Sequence, residues 1–113
     1  MRAAWSEATN VVGLGGLAII PGTAVNITLT QAGIIHVSGN VNVLTDRDVF
    51  VFVYIDDEQA GVPFYTSVAN AWTNLSVFTM RNVPAGPHTI TLRASTNGSA
   101  ARAGSRVVNV TGF

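Results

Sequence analysis

Acidic side chains crowd the middle of the chain: Asp46, Asp48, Asp56, Asp57 and Glu58. If loops at one end of a β-sandwich brought Asp46 and Asp48 beside Asp56 and Asp57, their oxygens could cage a Ca²⁺ ion. Their spacing matches no EF-hand loop, and solvated turns explain them equally well. His36 and His88 are the only histidines. Neither has a His-x-His or His-x-x-x-His neighbour, so no metal ligand set and no cofactor is expected. Cysteine is absent and every basic residue is Arg. That removes a thiol nucleophile and a Schiff-base lysine, and there is no Gly-x-Ser-x-Gly elbow. The acids fall in predicted loops rather than on a groove floor, so a glycosidase pair is not expected either. The chain reads as non-enzymatic. One chemistry stays open. Trp5, Phe50, Phe52, Tyr54, Phe64, Tyr65, Trp72 and Phe78 could stack on sugar rings if several shared an exposed face, with Tyr65 and Trp72 as the candidate carbohydrate contacts. The same rings could instead fill a core or a subunit interface.

The elements that would position these groups are strands. In His88-Thr-Ile-Thr-Leu-Arg-Ala94, Ile90, Leu92 and Ala94 fall on one face and Thr89, Thr91 and Arg93 on the other. The turn Pro84-Ala-Gly-Pro87 feeds this strand with preset φ angles. Thr23–Thr30 alternates in the same way, with Val25, Ile27 and Leu29 inward. Ile35–Val43 places Val37, Val41 and Val43 inward and His36, Ser38, Asn40 and Asn42 outward, with Gly39 read as a bulge or bend. Val49–Ile55 is apolar on both faces, so Phe50, Phe52 and Tyr54 must meet either a second layer or a partner. Asp56–Gly61 reads as a loop, and Val62–Val68 as a strand with Pro63 at an edge. Trp72–Met80 directs Leu75 and Val77 inward. Thr96-Asn-Gly-Ser99 reads as a hairpin turn, and Arg106–Thr111 closes the chain. Seven or eight short strands without helical periodicity predict an all-β, antiparallel, jelly-roll-like sandwich over residues 21–113. Residues 1–20 are expected to form an extended arm with a possible first strand, because Gly13, Gly15 and Gly16 make them poor core members.

Of the 113 residues, 48% are hydrophobic and only 11% charged, against roughly 25% charged in ordinary soluble domains. A chain with so few charges is expected to bury surface against other chains. Trp5, Val11, Val12, Leu14, Leu17, Phe50, Phe52 and Tyr54 are the candidate interface residues, and a dimer or trimer the expected form. Arg suits such contacts better than Lys, because its guanidinium is planar and weakly hydrated. Net charge is zero, which gives no electrostatic case for nucleic acid or an acidic membrane. Val11–Ile20 is too short and glycine-rich to span a bilayer, and no signal peptide is evident. Asn26, Asn74, Asn97 and Asn109 head Asn-x-Ser/Thr triplets, read as by-products of a Thr/Asn-rich β protein rather than as glycan acceptors.

Three stretches, Val25-Asn-Ile-Thr-Leu-Thr-Gln-Ala-Gly33, Val53-Tyr-Ile-Asp56 and Val83-Pro-Ala-Gly-Pro-His-Thr-Ile-Thr-Leu92, carry a resemblance. From Thr23 to Thr111 the chain resembles small jelly-roll domains of tailed-bacteriophage structural proteins, both head decoration (cement) proteins and tail-fibre tips. The same grammar of turns and strands occurs in tumour-necrosis-factor-like and collagen-associated trimer domains. The resemblance implies a virion decoration protein without catalytic residues, made in the host cytoplasm and clipped onto the capsid surface. Its partners would be a major capsid protein and copies of itself. The alternative expectation is a carbohydrate- or receptor-binding sandwich module.

Overall fold

The computed structural model describes residues 1–96 and 100–113. Ten strands are present among them: β1 (Arg2–Ala8), β2 (Val12–Leu14), β3 (Leu17–Ile19), β4 (Val25–Leu29), β5 (Gly33–Thr45), β6 (Val49–Ile55), β7 (Glu58–Thr66), β8 (Thr73–Val83), β9 (Gly86–Ser95) and β10 (Ala101–Gly112). They form two antiparallel five-stranded sheets. The first runs β1-β10-β5-β8, with β2 also on β10; the second runs β3-β9-β6-β7, with β4 also on β9. Inward members of each period-2 run interleave between the sheets as a jelly-roll sandwich. Val25, Ile27, Leu29, Val37, Val51, Val53, Leu75, Val77, Ile90 and Leu92 are all buried, as the alternation predicts.

Several sequence expectations need correcting. Residues 1–20 are not an arm separate from a 21–113 domain. Every residue of β1 pairs with β10, from Arg2 against Gly112 to Ala8 against Arg106. β2 continues along β10, and β3 lies on β9. Val12 and Leu14 are partly buried and pack against the core of their own chain. Gly39 is not a bulge, for its pairing is unbroken on both sides. A Cβ there would come within 2.6 Å of the Val107 carbonyl oxygen, so close strand packing requires the glycine. The loop expected at 56–61 is instead a two-residue hairpin, Asp56-Asp57, with both residues at positive φ (52° and 64°). Short Asx side chains tolerate that conformation. The turn expected at Asn97-Gly-Ser99, with the Asn97 triplet, lies outside the described residues. Asn26, Asn74 and Asn109 lie on the outer faces of strands.

What ties the amino-terminal strands to the sandwich is Arg106, read from the sequence only as the start of a strand. It is 3% exposed. Its Nε donates to Pro21 O (2.5 Å), its Nη1 to Asn10 O (2.6 Å) and Gly104 O (2.7 Å), and its Nη2 to Asn10 Oδ1 (3.1 Å). These acceptors come from the β1–β2 turn, the loop between β3 and β4, and a register break in β10 between Ala103 and Arg106. Nearby, Thr23 replaces a missing rung beside β9: its hydroxyl accepts from Leu92 N–H (3.1 Å) and donates to Ile20 O (2.7 Å).

Two variants test this packing. Arg106→Met keeps volume but orphans buried carbonyls. With hydrogen bonds to a charged group worth ~1.5–3 kcal/mol each, a stability loss of about 3 kcal/mol or more is expected in urea unfolding, and no change in midpoint would refute the clamp. Deleting residues 1–10 strips the β1 ladder and the Asn10 acceptors, so the truncated chain is expected to unfold or melt far below the full chain. An unchanged melting temperature would restore the arm.

Candidate functional site

The acidic residues do not converge. The whole of β6 lies between Asp48 and Asp56, which at ~3.3 Å per residue puts Asp48 roughly 25 Å from the Asp56-Asp57 turn, with Asp46 beyond it. Each end is otherwise engaged. Asp46 Oδ1 accepts from Ala100 N (2.9 Å). Asp57 Oδ1 receives Arg93 Nη2 (2.7 Å), and Asp56 binds His88. Among the described residues no group of three or more His, Asp or Glu side chains could hold a metal ion, so the Ca²⁺ cage considered from the sequence does not form. No helix there is long and apolar enough to cross a membrane.

His88 is buried, with Nδ1 2.5 Å from Asp56 Oδ2 and Nε2 2.7 Å from Pro84 O. Asp56 Oδ1 also accepts Thr89 N–H (2.9 Å). Both ring nitrogens face oxygens that can only accept, so the site is satisfied by imidazolium. The Asp56 carboxylate raises the His88 pKa against the opposing effect of burial. For Asp56 the largest influence is burial, which pushes its pKa up, but the His88 and Thr89 hydrogen bonds and the positive charges of His88 and Arg81 outweigh it, and the net direction is down. The pair pins the β6–β7 hairpin to the β8–β9 turn. It is a structural link rather than a ligand site.

The predicted aromatic and interface residues divide between opposite faces. On the outer face of the second sheet, one row reads Leu17, Ser95, Phe50, Tyr65. Phe50 stacks on Tyr65 with ring centroids 5.5 Å apart, and the Arg93 guanidinium lies 4.0 Å above the Tyr54 ring. Phe50, Phe52 and Tyr54 are therefore half-buried against neighbours in their own sheet, while Leu17 and Tyr65 are exposed. Trp5, Val11 and Trp72 lie with the first sheet. Tyr65 and Trp72 thus stand on opposite sides of the sandwich and cannot share one ligand.

The first sheet's outer face changes character along its length. At one end Trp5, Ile34, Phe78, Met80 and Phe113 are exposed, around Ala3, His36, Ser38, Asn109 and Thr111. Phe113 is held there by reciprocal backbone hydrogen bonds with Ile34 (both 2.9 Å) and an edge contact with His36. Toward the other end the face becomes polar. Asn42 faces Asn74 and Asn40 faces Ser76 across β5 and β8. Asn74 Nδ2 donates to Asn42 Oδ1 (2.9 Å), and Ser76 Oγ to Asn40 Oδ1 (2.8 Å). Beside this amide ladder run two adjoining hollows of about 190 and 200 Å³. The first is lined by Glu7, Asn40, Asn42, Asn74 and Ser105 among others. The second is lined by Thr9, Val11, Asn42, Trp72, Gly104 and Ser105. Trp72 is half exposed and lies against Gly104, where an added Cβ would stand 3.0 Å from the ring. An aromatic ring, prealigned amides and a single carboxylate thus line one concave strip.

Sequence reasoning singled out Trp72 but missed Glu7, Asn40, Asn42, Asn74, Gly104 and Ser105. The available signal was Asn at i and i+2 on the solvent side of a predicted strand, with Asn74 and Ser76 repeating that spacing in another.

No protein-family model and no curated protein sequence matches the chain. Solved structures do match its fold. The globular domain of zebrafish complement 1qA superposes with a TM-score of 0.72 at 6% identity, covering 98% of this chain and 96% of that one. Eiger TNF from S. frugiperda gives 0.67 at 11% identity, covering 96% and 90%. The EclA C-terminal domain, a sugar-binding protein, gives 0.57 at 14%, covering 89% and 78%. At these identities the likeness establishes the jelly-roll sandwich alone.

The His88–Asp56 pair sets a pH dependence. Because the folded His88 pKa is raised above its usual value of about 6.5, its stabilisation is complete below that value and is lost as pH rises through the folded pKa. The lowered Asp56 pKa acts oppositely: its contribution is present above the ordinary carboxylate range and fades as pH falls through the folded value. Urea midpoints are expected to fall on both sides of a slightly acid optimum, and His88→Gln should flatten the alkaline limb. An unchanged alkaline limb in that variant would show that the ring carries no proton-linked stability.

Proposed function

We propose that this chain is a non-enzymatic carbohydrate-binding sandwich module that takes a neutral glycan in the groove beside Trp72. The observation carrying this reading is the pairing of a half-exposed indole with the Asn40–Asn42–Asn74 ladder and Glu7. A pyranose has an apolar C–H face and a hydroxyl rim. The indole offers a broad, polarisable surface for the first. Amide groups donate and accept at once, which suits hydroxyls that do the same. The amides are already aligned, Asn42 by Asn74 and Asn40 by the Ser76 hydroxyl, so little side-chain freedom is lost on binding. The sugar-binding neighbour among the similar folds agrees with this reading.

Self-association complements it. The apolar end of the same face exposes large side chains around His36, with Arg2 and Arg81 only at its margins, and a chain of zero net charge does not repel its copies. Copies joined there would leave the polar groove at the other end open and multiply weak glycan contacts. That same apolar patch is the one observation favouring the second reading, a virion decoration protein that clips onto a capsid; saturable binding to capsids, with no glycan binding, would decide for it.

The test of the main reading is calorimetry against neutral xylo-, cello-, manno- and chito-oligosaccharides. At least one series is expected to bind, and Trp72→Ala to weaken it at least tenfold, about 1.4 kcal/mol. Binding that survives Trp72→Ala, or none to any series, would overturn the reading. Light scattering on the same protein is expected to give a mass above that of one chain, and Phe78→Ser with Trp5→Ser to return it to the monomer. A wild-type chain that stays monomeric at high concentration would remove the self-association part.

A further inference from the structure

The groove does not stop at Trp72. Two residues along the chain from Val11, Asn42, Gly104 and Trp72 lies a larger cleft of about 580 Å³, lined by Gly13, Leu44, Asp46, Asn70 and Arg102 among others. The lining passes from Val11, just before β2, to Gly13, on β5 from Asn42 to Leu44, on β10 from Gly104 to Arg102, and in the β7–β8 loop from Trp72 to Asn70. Two residues along a strand return to the same face ~6.6 Å further on. Register confirms that the new wall is one row, because Arg102 pairs with Leu44 on one side and Gly13 on the other. Asn70 is held over this row by its N–H bond to Thr45 O (2.7 Å).

Size and charge then constrain the ligand. The hollows beside Trp72 are each smaller than the ~300 Å³ at which pockets begin to enclose a drug-sized molecule; the adjoining cleft supplies the missing volume. Arg102 is exposed and makes no ion pair among the described residues, and Asp46 spends one oxygen on Ala100 N–H. The strip as a whole sets Glu7 and Asp46 against Arg102 and the buried Arg106, so it favours neither a polyanion nor a polycation.

Resting on the glycan reading above, we infer that the ligand is a linear neutral oligosaccharide, with the cleft at Arg102, Asp46 and Asn70 holding the rings beyond the one stacked on Trp72. Arg102 would serve ring hydroxyls by planar, two-point hydrogen bonds, and Asp46 through the oxygen that Ala100 leaves open.

The test is a chain-length series: xylose to xylopentaose, glucose to cellopentaose, mannose to mannopentaose and N-acetylglucosamine to chitopentaose, titrated into the full-length chain. Within the series that binds, affinity is expected to rise on the order of tenfold from disaccharide to tetrasaccharide and then level off. Arg102→Gln and Asp46→Asn, each checked by melting temperature, are expected to bring the tetra-to-disaccharide ratio toward one. Trp72→Ala should lower affinity at every length. A flat length dependence, or a ratio untouched by Arg102→Gln and Asp46→Asn, overturns the extended site while leaving the Trp72 subsite standing. Absence of binding at every length overturns both.

Discussion

A buried guanidinium that forms no ion pair among the described residues organises this molecule. Taking a charge out of water is costly unless its hydrogen bonds are replaced, and a guanidinium has five donors to satisfy. Arg106 makes four such bonds, all to neutral oxygens, from Asn10, Pro21 and Gly104. Burial pushes its pKa down, but a guanidinium starts so high that it stays charged. The three acceptor segments must therefore arrive together, which fixes the edges of both sheets and the irregular point of β10 in one place. Packing is tight there: a Cβ on Gly22 would meet the Ala8 Cβ at 2.8 Å and the Arg106 guanidinium at 3.3 Å.

The groove is a by-product of the same constraint. A regular ladder along β10 would carry side chains of even height past β5. The register break at Gly104 and Ser105 interrupts it, and the glycine leaves room for Trp72 to lie against the backbone. Bulges commonly re-aim side chains in this way. The edge strand breaks at the same level, between β1 and β2, so Thr9 and Val11 form the opposite lip. Stability and binding surface therefore share residues.

Legibility from sequence followed the strength of alternation. Val49–Ile55 and Thr23–Thr30 show their faces because large apolar residues recur at period two, and the core named from them is buried. β1 to β3 were obscure for a physical reason. The inward positions of β1 are Ala4, Ser6 and Ala8, too small or polar to stand out, and Gly13, Gly15 and Gly16 break any pattern across β2 and its turn. Their place is set by long-range pairing with β10 and β9 and by Arg106, none of which leaves a local pattern. The site was half legible. Trp72 stands out as a lone large aromatic, whereas the amide ladder exists only once β5 and β8 are in register, and the role of Gly104 only once Trp72 is folded over it. Acidic clustering misled because proximity in sequence was undone by a full strand.

The central claim is that the indole and amides of the first sheet form one ligand surface, and solution NMR reads both groups directly. In a titration of uniformly ¹⁵N-labelled protein with tetrasaccharides of xylose, glucose, mannose and N-acetylglucosamine, the account predicts saturable shifts for at least one of them. These should be confined to the Trp72 Nε1–H, the side-chain amides of Asn40, Asn42 and Asn74, and the backbone around Gly104, with Tyr65 and Phe50 on the far sheet unmoved. Shifts centred on the Phe50–Tyr65 face, or saturation with the Trp72 indole resonance unmoved, would contradict it.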